Sequence, residues 1–499
     1  MRADALRAGL LRSRRLEIVA GAVGLVGLVV LGAIAHRPGA LPLLAAGLLL
    51  VVDVVLVRWS VPRTNRGEAS AHRVSVLVAA SWVAIAFLPV HDFSRQSTQA
   101  AVSSLSLQTG GELVLFGVVG GFAVLLLRTS VPLVPIGVAL TVLPVWVLAS
   151  ASWAETPAYA VARALEYVAM ALLAFATAGL AVRRRAALDE VVTLVLRWTA
   201  RLTVGMVLLG VALGPLFVVV TRSNRDRFTW MGAHPTESGF VLGAAILVLV
   251  STSSTRLRMP GWMRAACLLV TAVALYENQT RTVLAGLVLG GAVLLLLEAR
   301  RRPDAAALSG FFVVGGSLVA VLVAGGALRG YVLRGDDSSR LTTLNGRSDL
   351  WSVGFDALTG PMDWVHGLGY GATRVVFVDE FAFAGNAHNS VLGTLVGLGV
   401  VGVALLLVAV VKAAVVLWRS GVLSGSEHGA TLAALLAYSL VAAVTSDNLA
   451  EPHFGLVVLF LCTAVGAGWR LGIGPGVGRG EEPAPPVAAG SPPRSVDHA

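Results

Sequence analysis

Apolar residues in this chain come in blocks of about 20, separated by short stretches that hold most of the charge. A helix rising 1.5 Å per residue needs about 20 residues to cross the roughly 30 Å hydrocarbon core of a bilayer. Fourteen spans are predicted on this basis, at 16–35, 39–57, 73–91, 111–127, 131–150, 160–182, 202–220, 237–251, 262–276, 282–298, 308–328, 388–414, 430–446 and 452–470. A closed β-barrel, the other way to cross a bilayer, would show weak alternation over about 10 residues in place of continuous runs. The pattern predicts an all-α, polytopic integral membrane protein with about 14 transmembrane helices.

One long interruption divides the pattern. Residues 1–328 are expected to hold transmembrane helices 1–11, residues 329–387 one large extracytoplasmic loop, and residues 388–471 helices 12–14. The tail 472–499 reads G-P-G-V-G-R-G-E-E-P-A-P-P and onward, too rich in Pro and Gly to pack, so a disordered cytoplasmic tail is expected. The stretch 186–201 reads as an amphipathic helix lying along the inner surface. The basic start precedes a span with no clear small-residue cleavage site, which predicts a retained first helix. No repeat of 20–50 residues and no matching pair of broken helices is visible, which argues against an inverted-repeat transporter.

Charge orients the spans. Arg2, Arg7, Arg12, Arg14 and Arg15 precede the first, and basic clusters recur after every second span: Arg58 to Arg73, Arg128, Arg183 to Arg185, Arg256 to Arg264, Arg300 to Arg302, then Lys412 and Arg419. This alternation predicts cytoplasmic N- and C-termini in the cytoplasmic (inner) membrane. It also puts 92–110, 221–236, 277–281, 329–387 and 447–451 on the outer side.

Composition agrees and excludes alternatives. The chain is 56% hydrophobic and 13% charged, with mean hydropathy +0.80. Its formal charge of +10 would point to nucleic acid in a soluble protein, but here it is spent on topology, so no nucleic-acid partner is expected. Cys267 and Cys462 both fall in apolar spans and offer neither a disulfide framework nor metal spacing. No Walker motif is present, and no D-x-D run requires a metal. The run G-L-G-Y-G at 367–371 lacks the preceding strand and following acidic residue of a dinucleotide site; its glycines suit tight turns or close backbone approach.

Arginines on the outer side are the informative exception. Arg222, Arg225, Arg227, Arg281, Arg334, Arg340, Arg347 and Arg374 have two readings. They form solvated pairs with nearby acids such as Asp226, Asp336, Asp337 and Asp349, or they grip an anionic lipid-linked substrate. Arg281 stands out because only about five residues join its two spans, which fixes it at the membrane edge. Snorkelling is the plain alternative. His388 sits where the loop re-enters the membrane, followed by Asn389; an imidazole titrating near neutrality suits proton removal from a hydroxyl, and a helix cap or loop tether is the alternative. Within the spans, Asp53 is read as snorkelling beside Arg58, and Arg163 with Glu166 as a structural i,i+3 pair.

The succession N-G-R-x-x-L-W (345–351), Pro361, G-L-G-Y-G (367–371), A-H-N-S-x-L (387–392) and G-L-G-V-V-G (397–402) resembles the bacterial O-antigen ligase and O-antigen polymerase family. The similarity is closest over 340–402 and extends to T-R-T at 280–282. The resemblance implies a multi-spanning, metal-independent glycosyltransferase that takes a glycan from undecaprenyl diphosphate, with no cofactor. It implies that Arg281 and Arg347 grip the diphosphate and that His388 acts at the acceptor hydroxyl. Arg227, Arg340, Trp351 and Asn389 follow as possible substrate contacts, Trp351 either stacking on a sugar or anchoring at the interface. The partners implied are a polyprenyl-diphosphate-linked glycan donor, a glycan, lipid or protein acceptor, and membrane lipids. A ligase and a polymerase share this donor chemistry, and a non-catalytic exporter or flippase of polysaccharide lipids is the alternative of a different class.

Overall fold

The computed structural model describes residues 66–87, 107–129, 131–133, 136–213, 227–229, 235–301, 347–380, 387–426 and 428–471. The expected spans 16–35, 39–57 and 308–328, Arg340 and the tail lie outside the described residues. Among the described residues every regular element is helical. In chain order these are α1 (Arg66–Phe87), α2 (Leu107–Thr129), α3 (Val138–Ser150), α4 (Pro157–Arg183), α5 (Arg185–Leu213), α6 (Pro235–Ser251), α7 (Ser254–Leu257) and α8 (Gly261–Asn278). There follow α9 (Arg281–Arg301), α10 (Arg347–Asp356), α11 (Pro361–His366), α12 (Ala372–Glu380), α13 (Ser390–Arg419), α14 (Val422–Gly425), α15 (Gly429–Thr445) and α16 (Phe454–Leu471).

Among the described residues six segments are long and apolar enough to cross a membrane: Gly111–Thr129, Pro157–Arg183, Arg185–Ala212, Arg281–Arg301, Ser390–Arg419 and Phe454–Leu471. Helices α3, α6 and α15 are apolar but shorter, as is His72–Phe87 within α1. The expected surface helix at 186–201 is corrected. Arg185–Leu213 is one continuous helix, and Val191, Leu194, Trp198 and Ala200 in its first half are buried in the bundle. Its polar positions mislead because they face other helices. Arg197, only 5% exposed, donates through Nε and Nη2 to the Arg256 carbonyl, and Thr193 bonds His428.

Helix α4 is the hub, packing against α2, α3, α5 and α16. Its buried face is mostly Ala, with Ala160, Ala164, Ala174, Ala176 and Ala178 nearly inaccessible. Small side chains let helices approach closely where lipid supplies no hydrophobic drive for association. The same device joins α6, α9 and α15. The Tyr438 ring of α15 lies where a Cβ on Gly286 would come within 2.7 Å, and its hydroxyl donates to the Phe240 carbonyl at 2.9 Å.

The two ends of the bundle differ. At one end Arg256 pairs with Asp189 at 2.9 Å, Arg185 lies over Trp469, and Arg301 donates to the carbonyls of Leu423 and Ser426. At the other end α4, α6, α9, α13 and α16 begin, and there the helices α10, α11 and α12 pack. The described part of the long interruption is thus mostly helical. It has a small core of Leu350, Ala372, Phe377, Ala387, Leu392 and Val396.

Candidate functional site

The backbone sets the site before any charge does. Two glycine runs dock on each other: Leu368 N–H donates to the Val396 carbonyl at 2.8 Å, and Gly367 (φ 75°) lies against Gly397. Gly399 (φ 67°) breaks the helical geometry inside α13, and a Cβ there would sit 2.2 Å from the Val365 carbonyl oxygen. Only glycine fits both the left-handed φ and the contact. The glycines of 367–371 and 397–402 therefore seat the loop helices on α13, and Trp146 of α3 reinforces the joint by donating to the Leu398 carbonyl.

Beyond that joint the chain enters α13 through Ala387, His388 and Asn389. Asn389 is the N-cap: its Oδ1 accepts from the Val391 and Leu392 N–H groups at 2.9 and 3.1 Å, an arrangement worth about 1 kcal/mol to a helix. A structural role thus accounts for Asn389. Trp351 donates its indole N–H to the Ala387 carbonyl at 3.1 Å, which fixes the residue just before His388. Between these two anchors His388 adopts φ 48°, a left-handed conformation uncommon for a side-chain-bearing residue. Its backbone N–H donates to Asp447 Oδ2 at 3.1 Å.

Asp447 belongs to the turn Ser446–His453 between α15 and α16, which is the hub of this end. Ser390 Oγ donates to the Ser446 carbonyl and accepts from the Leu449 N–H; Thr445 bonds Thr282, the neighbour of Arg281, at 2.8 Å. Arg347, first residue of α10, is coupled electrostatically to both Asp447 and His388. The structure thus brings Arg347 and His388 together at Asp447, and the start of α9, where Arg281 stands, to the neighbouring Thr445. Arg227 sits one layer away. Its Nε donates to the Asn278 carbonyl and its Nη2 to Thr280 Oγ1, both at 2.9 Å, so it braces the turn leading into Arg281.

The electrostatics depart from the sequence expectation at two residues. Burial, with the Arg347 charge second, pushes the His388 imidazole down to about 4, well below the near-neutral titration expected of it. Its ring is therefore neutral and able to accept a proton across the physiological range. Arg374, read either as a solvated pair with a nearby acid or as a grip on an anionic substrate, reaches the distant Glu451 at 3.7 Å and lies over the Tyr159 ring. Around it, burial raises Asp447 to about 7. Burial opposes ionisation of Glu451 as well, yet Arg374 and His453 hold that carboxyl far below the ordinary range. His453, despite burial, is raised to about 9 by Glu237 and Glu451.

Asp447, Glu451 and His453 were not singled out by the sequence reading, which treated 447–451 as a short outer connection. The available signal was three ionisable residues within S-D-N-L-A-E-P-H, a run between two apolar segments. Arg163, read as one half of an i,i+3 pair, bridges Glu166 at 2.8 Å and also Glu112 at 2.7 Å on α2. Among the described residues no cluster of His, Cys, Asp and Glu has the geometry of a metal site.

A search of curated proteins gives no match. Residues 265–407, from within α8 into α13, match the O-antigen ligase family, and that segment carries Arg281, Arg347 and His388. The described residues are thus all-helical, and the segment that holds these three residues is similar to the O-antigen ligase family, a family with a membrane glycan-transfer role.

Proposed function

We propose that the protein transfers a glycan from a polyprenyl-diphosphate donor to an acceptor hydroxyl at the outer face of the cytoplasmic membrane. The observation that carries this reading is the meeting of Arg347 and a neutral histidine at Asp447, with Arg281 opening α9 one residue before the Thr282–Thr445 bond. Two planar guanidinium groups suit a diphosphate, since each presents paired N–H donors to paired oxygens. In the proposed step the acceptor oxygen attacks the anomeric carbon as its proton passes to the His388 ring. The bond from that carbon to the diphosphate oxygen breaks, its electron pair stays on the departing polyprenyl diphosphate, and Arg281 and Arg347 stabilise the charge that develops there. Attack opposite the leaving group inverts the anomeric centre. The step requires no metal and no nucleotide sugar.

The topology belongs to the same proposal: fourteen spans, both termini in the cytoplasm, and 329–387 as an extracytoplasmic loop above helices 12–14. It is supported by the gathering of Arg185, Arg256, Arg300 and Arg301 at the end opposite the site, as basic residues gather on the cytoplasmic side. Cells lacking the protein test the class of function. Lipid-linked glycan is expected to build up on the outer leaflet, flipped but not transferred. Build-up on the inner leaflet would identify an exporter and overturn the transferase reading.

A further inference from the structure

The matched segment ends at residue 407, yet the turn that holds His388 lies beyond it, at 446–453. A half-buried ionic chain centred on the buried Glu451 fixes that turn. Arg374 Nη2 lies 3.7 Å from Glu451 Oε2, His453 Nε2 lies 3.2 Å from the same oxygen, and Glu237 Oε1 of α6 closes on His453 at 3.7 Å. The arginine is also held from α4, since Arg374 and Arg163 both lie against the Tyr159 ring, at 4.8 and 5.2 Å from its centre. Tyr159 stacks with Tyr370, and the hydroxyls of Tyr370 and Tyr167 both donate to the Ala450 carbonyl at 2.8 Å.

Glu451 and Asp447 cannot move independently. The N–H groups of Ala450 and Glu451 both donate to the Asp447 carbonyl, at 2.9 and 3.0 Å, which makes 447–451 one tight turn. Whatever fixes Glu451 fixes Asp447, and Asp447 Oδ2 holds the N–H of a left-handed His388. An uncommon backbone conformation persists only where its surroundings over-determine it.

We infer that Arg374 is a positioning residue for the transfer reaction, acting through Glu451 and the Asp447 turn to hold His388 in its working conformation. Helix α4 serves the site from outside the matched segment by presenting Tyr159, Arg163 and Tyr167 to this chain of contacts. A half-buried ion pair of this kind gives little net stability, because screening and desolvation offset most of the attraction. Its presence is accounted for by the geometry it imposes. The role in transfer rests on the proposed function; the structural coupling does not.

The test uses the full-length protein in lipid nanodiscs, with Arg374→Lys, Arg374→Met, Glu451→Gln and the Arg374→Met/Glu451→Gln pair. Hydrogen exchange at the His388 amide is read first, because it needs no substrate. Exchange is expected to quicken about tenfold or more in Arg374→Met and Glu451→Gln, by a similar factor in the double variant, and less in Arg374→Lys, while α16 stays protected. Turnover should fall about 10–100-fold with the donor KM held within about twofold, as misplacement of a reacting group predicts. Unchanged exchange at His388 in Arg374→Met and Glu451→Gln would overturn the inference, as would additive effects in the double variant. If the exchange behaves as expected and no transfer occurs in wild type, the coupling stands and the transferase reading fails.

Discussion

His388→Ala is expected to lower glycan transfer about 10²–10⁴-fold, the usual contribution of a positioned proton acceptor. Binding of undecaprenyl diphosphate by the variant should stay near wild type, because in this reading the arginines hold the diphosphate. The pH profile makes the prediction sharper. An imidazole with its ordinary value near 6.5 would lose activity as pH falls below neutrality. In the folded protein the ring is held at about 4 by burial and by Arg347, so it stays unprotonated far lower. The wild-type rate should therefore persist through pH 6 and fall only as pH approaches 4. Replacing Arg347 by Gln removes a positive neighbour, which favours the protonated ring and should move the acid limb upward. The residual activity of His388→Ala should have no such limb. Measured pH–rate profiles of the three proteins decide it, and a His388→Ala protein with normal turnover would leave His388 a backbone anchor.

Arg281→Lys and Arg347→Lys should each cost on the order of 10²-fold in transfer, the scale lost when one donor to a developing oxyanion is removed. Lysine keeps the charge but presents a point charge in place of a planar fork. The two sites should differ in a second respect. Arg347 acts on His388 and Asp447 through its charge, so its neutral replacement Arg347→Gln should also disturb the pH profile while Arg347→Lys should not, whereas Arg281 starts α9 beside the Thr282–Thr445 bond. Arg281→Lys should act on donor binding and turnover without moving the acid limb. Kinetics of these variants with purified lipid-linked donor, at normal protein level, check both points. Equal small losses at Arg281, Arg347 and Arg227 would mean that the arginines supply only a general positive field.

Much of this architecture is legible in the sequence, for identifiable reasons. Hydropathy marks α2, α4, α9, α13 and α16 within a few residues, because a helix crossing the hydrocarbon core is apolar along its length whether it faces lipid or other helices. It fails at Arg185–Leu213, where Thr193 and Arg197 face protein and find their partners in His428 and the Arg256 carbonyl, so polar positions do not mean a surface. The motif residues Arg281, Arg347 and His388 were legible by type and spacing. Their support was not. Arg374 finds its partner 77 positions away in Glu451, and Tyr167 reaches Ala450 across 283 positions. Local sequence offered Arg374 only nearby acids, and a lone acid in a short turn carries no sign of what it will meet. The titration of His388 was misread for the same reason, since burial is a property of the assembled bundle.

The central claim is that the Thr445–Asp447 corner transfers glycan from a lipid diphosphate. Purified protein in nanodiscs, given undecaprenyl-diphosphate-linked glycan and a hydroxyl-bearing glycan or lipid acceptor, tests it directly. The account predicts glycosylated acceptor and free undecaprenyl diphosphate in equal amounts from wild type, and both formed about 10²–10⁴-fold more slowly by His388→Ala. Release that proceeds equally in His388→Ala, or donor that is bound and left intact by wild type, would contradict it.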